Sequence, residues 1–158
     1  MDGIEKVIGY ILISKRMTLG VIESATGGLI SHRITNVAGS SDYYKGSITA
    51  YSNEIKNRIV GVKQETLDKH GSVSSQTAEE LALGGKKILE VDICIADTGI
   101  AGPGGATSDK PVGLFYIGLS HGNMTFNRKH IFSGDREQNK KEAAETALQI
   151  LKEYLESL

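Results

Sequence analysis

The stretch Val91–Asp97, reading V-D-I-C-I-A-D, runs without a break into Thr98-Gly99-Ile100-Ala101-Gly102-Pro103-Gly104-Gly105. A short apolar, β-branched run that ends in turn residues reads as a strand buried on both faces, and strands of that kind need helices on each side. The eight residues after it include four glycines and a proline. A chain built this way is expected to be α/β, with a backbone-rich loop at the carboxyl end of a central strand, the place where open sheets collect ligands.

The rest of the chain supplies the partners of that strand. Ile4, Val7, Ile8, Ile11 and Leu12 repeat at helical spacing, and Leu19–Ser24 reads as a second buried strand. Thr26-Gly27-Gly28 opens a helical pattern through Leu29, Ile30 and Ile34, with Val37 and Ala38 near its end. Gly46–Tyr51 predicts a strand, and Ser52 or Asn53 caps a short helix holding Lys56 and Ile59. A brief helix around Leu67 stops at Gly71. The next is capped from Ser74, Ser75 or Thr77 and turns Ala78, Leu81, Ala82, Gly85, Ile88 and Leu89 inward. Val112–Leu119 and Met124–Phe132, joined by Ser120-His121-Gly122-Asn123, predict an antiparallel hairpin. A final helix buries Ala144, Ala147, Leu148, Leu151, Tyr154 and Leu155. The sum is one domain, 1–158, with a mixed sheet covered on both faces. Ser24, Tyr51 with Lys56, and the Thr98 loop fall along one rim.

Composition narrows the function. With 18 Lys and Arg against 19 Asp and Glu, the net charge is -1, and no basic block suggests a nucleic-acid surface. The single cysteine, Cys94, has no disulfide partner, and no Cys/His cluster has zinc-ligand spacing, which fits a reducing cytoplasm. Glu5 and Lys6 come too early for a signal-peptide core, and no apolar run approaches the ~18 residues of a membrane span, so a soluble, cytoplasmic protein is expected.

Glu23-Ser24-Ala25-Thr26-Gly27-Gly28 places a hydroxyl where a strand feeds a helix, and free amides there can hold a developing oxyanion. Ser24 is the candidate nucleophile. The same motif also suits a plainer role, with Ser24 or Thr26 capping the helix and the glycines allowing close packing. A serine needs a base, and none of His32, His70, His121 or His130 falls on the rim. Lys56, five residues after Tyr51, can point back to it. A lysine titrates near 10.4 in water and must fall to about 7 to 8 to act as a base, a cost of roughly 4 kcal/mol. Burial can supply this, Arg136 can add like-charge repulsion, and the Tyr51 hydroxyl can relay the proton. Taken alone, Lys56 also reads as an exposed helix residue.

The Thr98 loop fits neither G-x-G-x-x-G nor a P-loop, yet glycine-rich backbone can form an anion nest. Arg136, in Gly134-Asp135-Arg136, can grip a phosphate or pair with Asp135 on the surface. Pro111 fixes the entry to a strand.

The motifs ESATGG, GSITAYSNEIK, HGSVS, TGIAGPGG with KPVG, and FSGDR ahead of a helix, in that order, resemble the CinA carboxyl-terminal domain family over nearly the whole chain from about Leu19. The resemblance implies a three-layer α/β/α fold with a mixed, mostly parallel sheet of about five strands. It also implies a nicotinamide-nucleotide amidase, turning nicotinamide mononucleotide and water into nicotinate mononucleotide and ammonia. Ser24 would be catalytic, assisted by Lys56 and Tyr51. Ala25, Thr26, Gly27, Thr98, Gly99, Gly102, Gly104 and Arg136 would bind the substrate. No metal or cofactor is expected, because nucleophile, base and oxyanion donors all come from the protein. The partner is a small pyridine nucleotide rather than nucleic acid or membrane, and a homo-oligomer is compatible. The family usually has Cys after the serine, where this chain has Ala25, and a standalone form without the amino-terminal domain of longer members is expected. The rival function is a non-catalytic nucleotide-binding module, or a regulatory partner in competence or DNA repair.

Overall fold

The computed structural model describes residues 2–158. Helix α1 (Ile4–Lys15) leads into β1 (Leu19–Glu23), which is followed by α2 (Leu29–Thr35), β2 (Tyr44–Thr49) and the short α3 (Asn53–Ile55). A π-helical turn, Lys56–Val60, continues α3; then come α4 (Gln64–His70), α5 (Ser75–Ile88) and β3 (Ile93–Gly99). The hairpin β4 (Leu114–His121) and β5 (Met124–Ile131) precedes α6 (Arg136–Glu156). The strand order is β2-β1-β3-β4-β5. Strands β2, β1 and β3 are mutually parallel, and β4 pairs antiparallel with both β3 and β5, so β4 alone runs against the other four. Among the described residues no helix is long and apolar enough to cross a membrane.

Alternation along β1 divides the core. Leu19 and Val21 face α1, α2 and α6, packing with Ile8, Leu12, Ile30, Ile34, Leu148 and Leu151. Ile22 faces the other way, with Cys94 and Ala96 of β3, onto Val60, Leu67, Leu81 and Ala82. The sheet therefore lies between two helical layers, as its apolar central strands require. At Gly85, α5 lies close against the sheet, for a Cβ there would overlap Ile22 and Cys94.

Several boundaries move from those the sequence suggests. β2 starts and ends two residues earlier than its composition implies, which frees Ala50 and Tyr51 to turn out of the sheet. The hairpin turn shrinks to Gly122-Asn123 because His121 and Met124 still pair. Gly122 has φ +57, as the first central position of a II′ turn requires. Ile88, expected to face inward, is 46% exposed because α5 ends there and the chain turns away through Leu89.

Candidate active site

Parallel β1 and β2 deliver their carboxyl ends side by side, Glu23 opposite Thr49, and the Ala50 N–H continues the ladder to the Glu23 carbonyl at 2.8 Å. Past that point the two chains diverge, β1 into Ser24 and β2 into Ala50-Tyr51. The Ser52 hydroxyl accepts from the Ile55 N–H and so caps α3. One turn later the backbone widens into the π-helical turn that begins at Lys56, a departure found often at functional sites. Its side chain runs back under the sheet edge and is 1% exposed.

The Lys56 Nζ lies 2.9 Å from Ser24 Oγ, 2.9 Å from the Ala50 carbonyl and 3.0 Å from the Tyr51 carbonyl. A neutral amine has two N–H groups and one lone pair. The two carbonyls take the N–H groups, and the lone pair is left for the serine proton. Burial pulls the Lys56 amine from 10.5 down to about 8, a shift that a charge on Asp97 opposes.

Ser24, Ala25, Tyr51, Lys56, Ser72, Val73, Thr98–Gly102, Gly104 and Arg136 line a cavity of about 190 Å³. A second hollow of about 530 Å³, walled by Pro103, Val112, Asp135 and Glu137, shares Ala101, Gly102 and Arg136 with it. The Arg136 guanidinium spans the mouth, donating to the Gly102 carbonyl at 2.8 Å and the Tyr51 hydroxyl at 3.3 Å. Asp135 does not pair with it and instead forms a capping box with Gln138 at the start of α6. Asn139, buried on α6, donates to the Ala101 carbonyl and accepts from the Gly134 N–H, fastening the glycine loop to the helix. The Thr98 hydroxyl donates to the Ser72 carbonyl at 2.6 Å, which fixes the opposite wall.

Five expectations change. The Tyr51 phenol is 64% exposed and meets Arg136; only its backbone carbonyl reaches Lys56, so the phenol is not in line to relay the proton. Arg136 is not what lowers the lysine, since burial does so and the guanidinium is engaged at the mouth. Thr26 and Gly27 do not line the cavity and lie on a separate groove beside His32 and Lys140. Neither Ser24 nor Thr26 caps α2, whose cap residue is Gly28; the Glu23 carboxylate reaches over and accepts from the Gly28, Ile30 and Ser31 amides. Positive φ at Gly27 (+62) and Gly28 (+106) folds the chain tightly enough for that reach. Finally, the amides after Ser24 do not form a general oxyanion nest. Ser24 and Thr26 donate to Asp97, Gly27 to the Ser24 carbonyl and Gly28 to Glu23. In this run only the Ala25 N–H is left without a protein acceptor among the described residues, and Ala25 lines the cavity.

Sequence reasoning passed over Glu23 and Asp97. Both are fully buried acids at the carboxyl ends of otherwise apolar strands, and a buried acid in that position is expected only where donors gather around it.

The sequence profile of the CinA C-terminal domain matches residues 1–155. A putative competence-damage inducible protein of Moorella thermoacetica is 45% identical over 150 residues, covering 95% of this chain and 36% of its own length. A CinA-like protein of Thermotoga neapolitana is 44% identical, covering 98% of this chain and 38% of its own. The chain thus spans a little over a third of these relatives. Among solved structures, a CinA superfamily protein from Enterobacter cloacae superposes with a TM-score of 0.93 at 31% identity, covering 96% of this chain and 90% of its own. The competence/damage inducible protein CihA of Agrobacterium tumefaciens does so with 0.88 at 33% identity, covering 96% and 95%.

Proposed function

Because the chain belongs to the CinA C-terminal domain family, we propose that it is an amidohydrolase that converts nicotinamide mononucleotide to nicotinate mononucleotide and ammonia. The observation that carries this reading is the 2.9 Å approach of a buried lysine amine to the Ser24 hydroxyl at the base of a cavity, the pairing a serine nucleophile needs.

The Lys56 amine takes the Ser24 proton as Oγ attacks the carboxamide carbon. The Ala25 N–H faces the developing oxyanion. The Lys56 ammonium then returns its proton to the departing nitrogen, and ammonia leaves an acyl ester on Ser24. Water, deprotonated by the same amine, attacks the ester, and the carboxylate product leaves as Ser24 recovers its proton. The smaller cavity suits the carboxamide-bearing ring. The ribose phosphate extends past Arg136 toward the larger hollow, with the guanidinium giving up its Gly102 and Tyr51 contacts for phosphate oxygens. Remote binding of that kind orients the amide.

The test is ammonia release from nicotinamide mononucleotide by the parent and by Ser24→Ala. Loss of release by about a thousandfold or more, with mononucleotide binding kept, supports the reading, as removing a nucleophile costs at least this much. Release at the parent rate from Ser24→Ala refutes the nucleophile. A parent that binds the mononucleotide and releases no ammonia is the binding module instead.

A further inference from the structure

Beneath the Ser24 turn, Asp97 is fully buried at the end of β3. Its carboxyl group accepts from the Ser24 N–H at 3.0 Å and the Thr26 N–H at 3.2 Å, and its Oδ1 is in short contact with the Thr26 hydroxyl. The same hydroxyl lies 2.7 Å from Glu23 Oε1. Thr26 has one hydroxyl proton and two carboxyl oxygens within hydrogen-bond reach. If both acids were ionised, one of these contacts would set lone pair against lone pair with no proton between them.

A second proton resolves the conflict, and the surroundings say which acid holds it. Glu23 already accepts from the Gly28, Ile30 and Ser31 amides and from the Ser31 hydroxyl, four donors that occupy its lone pairs and leave a further proton no acceptor to point at. Asp97 has two amides. A protonated Asp97 oxygen can donate to Thr26 and still accept from the Ser24 N–H, while the Thr26 hydroxyl donates its hydrogen bond to Glu23. We propose that Asp97 is a positioning residue that works as a neutral acid: sharing a proton with Glu23 across Thr26, it holds the nucleophile's turn and leaves Lys56 without a carboxylate that would keep it charged.

The charges facing Asp97 are Glu23 from the end of β1 and Lys56 from the π-helical turn; from α6, Lys140 comes up beside Gly27, and the β4 residue paired with Asp97 is the apolar Ile117. Burial pushes the Asp97 carboxyl from 3.8 up to about 6, with Glu23 adding to it and the Thr26 and Ser24 hydrogen bonds opposing. Assigning the one Thr26 proton to Glu23 removes part of that opposition and raises Asp97 further.

The experiment is a pH titration of the full chain carrying ¹³C at its aspartate carboxyl carbons, with Asp97→Asn assigning the resonance. Of the seven aspartates, Asp97 alone is expected to be more than half protonated at about pH 7, far above the ordinary range near 3.9. An Asp97 mostly ionised there overturns the proposal. Should the variant fail to fold, the wild-type count of aspartates still protonated at that pH, one or none, decides it.

A kinetic arm rests on the amidase reading. An Asn nitrogen cannot accept from an N–H, and either amide orientation puts that nitrogen against the Ser24 or the Thr26 N–H. Asp97→Asn should therefore lower kcat about tenfold, the loss expected for one unpaired buried amide, with KM within about twofold. It should also leave the acid limb of kcat/KM within about half a pH unit, because an acid already neutral takes no charge away from Lys56. A limb that moves down further, or an unchanged kcat, overturns the proposal. If the parent releases no ammonia, the amidase reading fails and the titration alone judges Asp97.

Discussion

Lys56→Met separates the catalytic from the energetic consequence of burying an amine. Lys56 is 1% exposed and its pKa falls from 10.5 to about 8. Between those values the folded chain binds fewer protons than the unfolded chain, so stability rises with pH across that window. Below about pH 8 both states carry the proton, and the folded state bears the whole cost of the buried ammonium, about 3 kcal/mol. Raising the pH from about 7 to about 9.5 returns about 2 kcal/mol of it to the parent. The variant has nothing to titrate there. Relative to the variant, the parent should therefore gain about 2 kcal/mol over that range, whatever the Ala50 and Tyr51 carbonyls lose by going without a donor. For a chain of this length that is about 6 °C in Tm. Urea unfolding of both proteins at several pH values across the range measures it, and other titrating groups cancel in the difference. Stability curves that stay parallel refute the reasoning, because Lys56 would then titrate as an ordinary ammonium and could not take the serine's proton. If, as proposed, the same amine is the base, kcat/KM for ammonia release should climb about tenfold per unit below about pH 8 and level off above it.

Tyr51→Phe should keep kcat within about threefold, since its phenol meets Arg136 and not Lys56; a hundredfold loss would restore the relay role. Arg136→Gln should raise KM for the mononucleotide by about 5- to 30-fold, the range for a charged hydrogen bond at a partly wet site. It should leave slow turnover of free nicotinamide unchanged, and equal losses on both substrates would remove the phosphate from its role. Gly85→Ala should cost about 1 to 3 kcal/mol in urea unfolding, because its Cβ would press into Ile22 and Cys94; a neutral result would mean that α5 can draw back from the sheet.

The elements were legible because their signals are local. Apolar β-branched runs mark β1 and β3, Ser52 and Ser74 cap α3 and α5, and Ser24 and Lys56 follow the ends of neighbouring strands. The polar connections beneath the site were not, since they join residues far apart in sequence. Nothing near Thr26 indicates that Asp97, 71 positions later, meets its hydroxyl and accepts from its amide. Nothing near Glu23 shows that it, and not a serine, holds the start of α2. Tyr51 misled for a related reason. Its spacing from Lys56 is right for contact, but the contact is made by its carbonyl, and a carbonyl is present whatever the side chain.

That backbone contact explains how the pair is aimed. Around an ammonium, Ser24 Oγ can only accept, and the serine's own proton points elsewhere. Around an amine, the Ala50 and Tyr51 carbonyls consume both N–H groups, and the hydrogen bond to Ser24 reverses with no heavy atom moving. In the proposed mechanism, loss of one proton is thus the whole activating step. The carbonyls that enforce it belong to the exit of β2, whose register against β1 is closed by the Ala50 N–H on the Glu23 carbonyl. A slip of β2 by one residue would turn each of its side chains to the other face and carry those carbonyls away from Nζ. The base is therefore set by strand pairing, and a change anywhere along the β1–β2 ladder that loosens the register should act on the pH–rate profile before it acts on substrate binding.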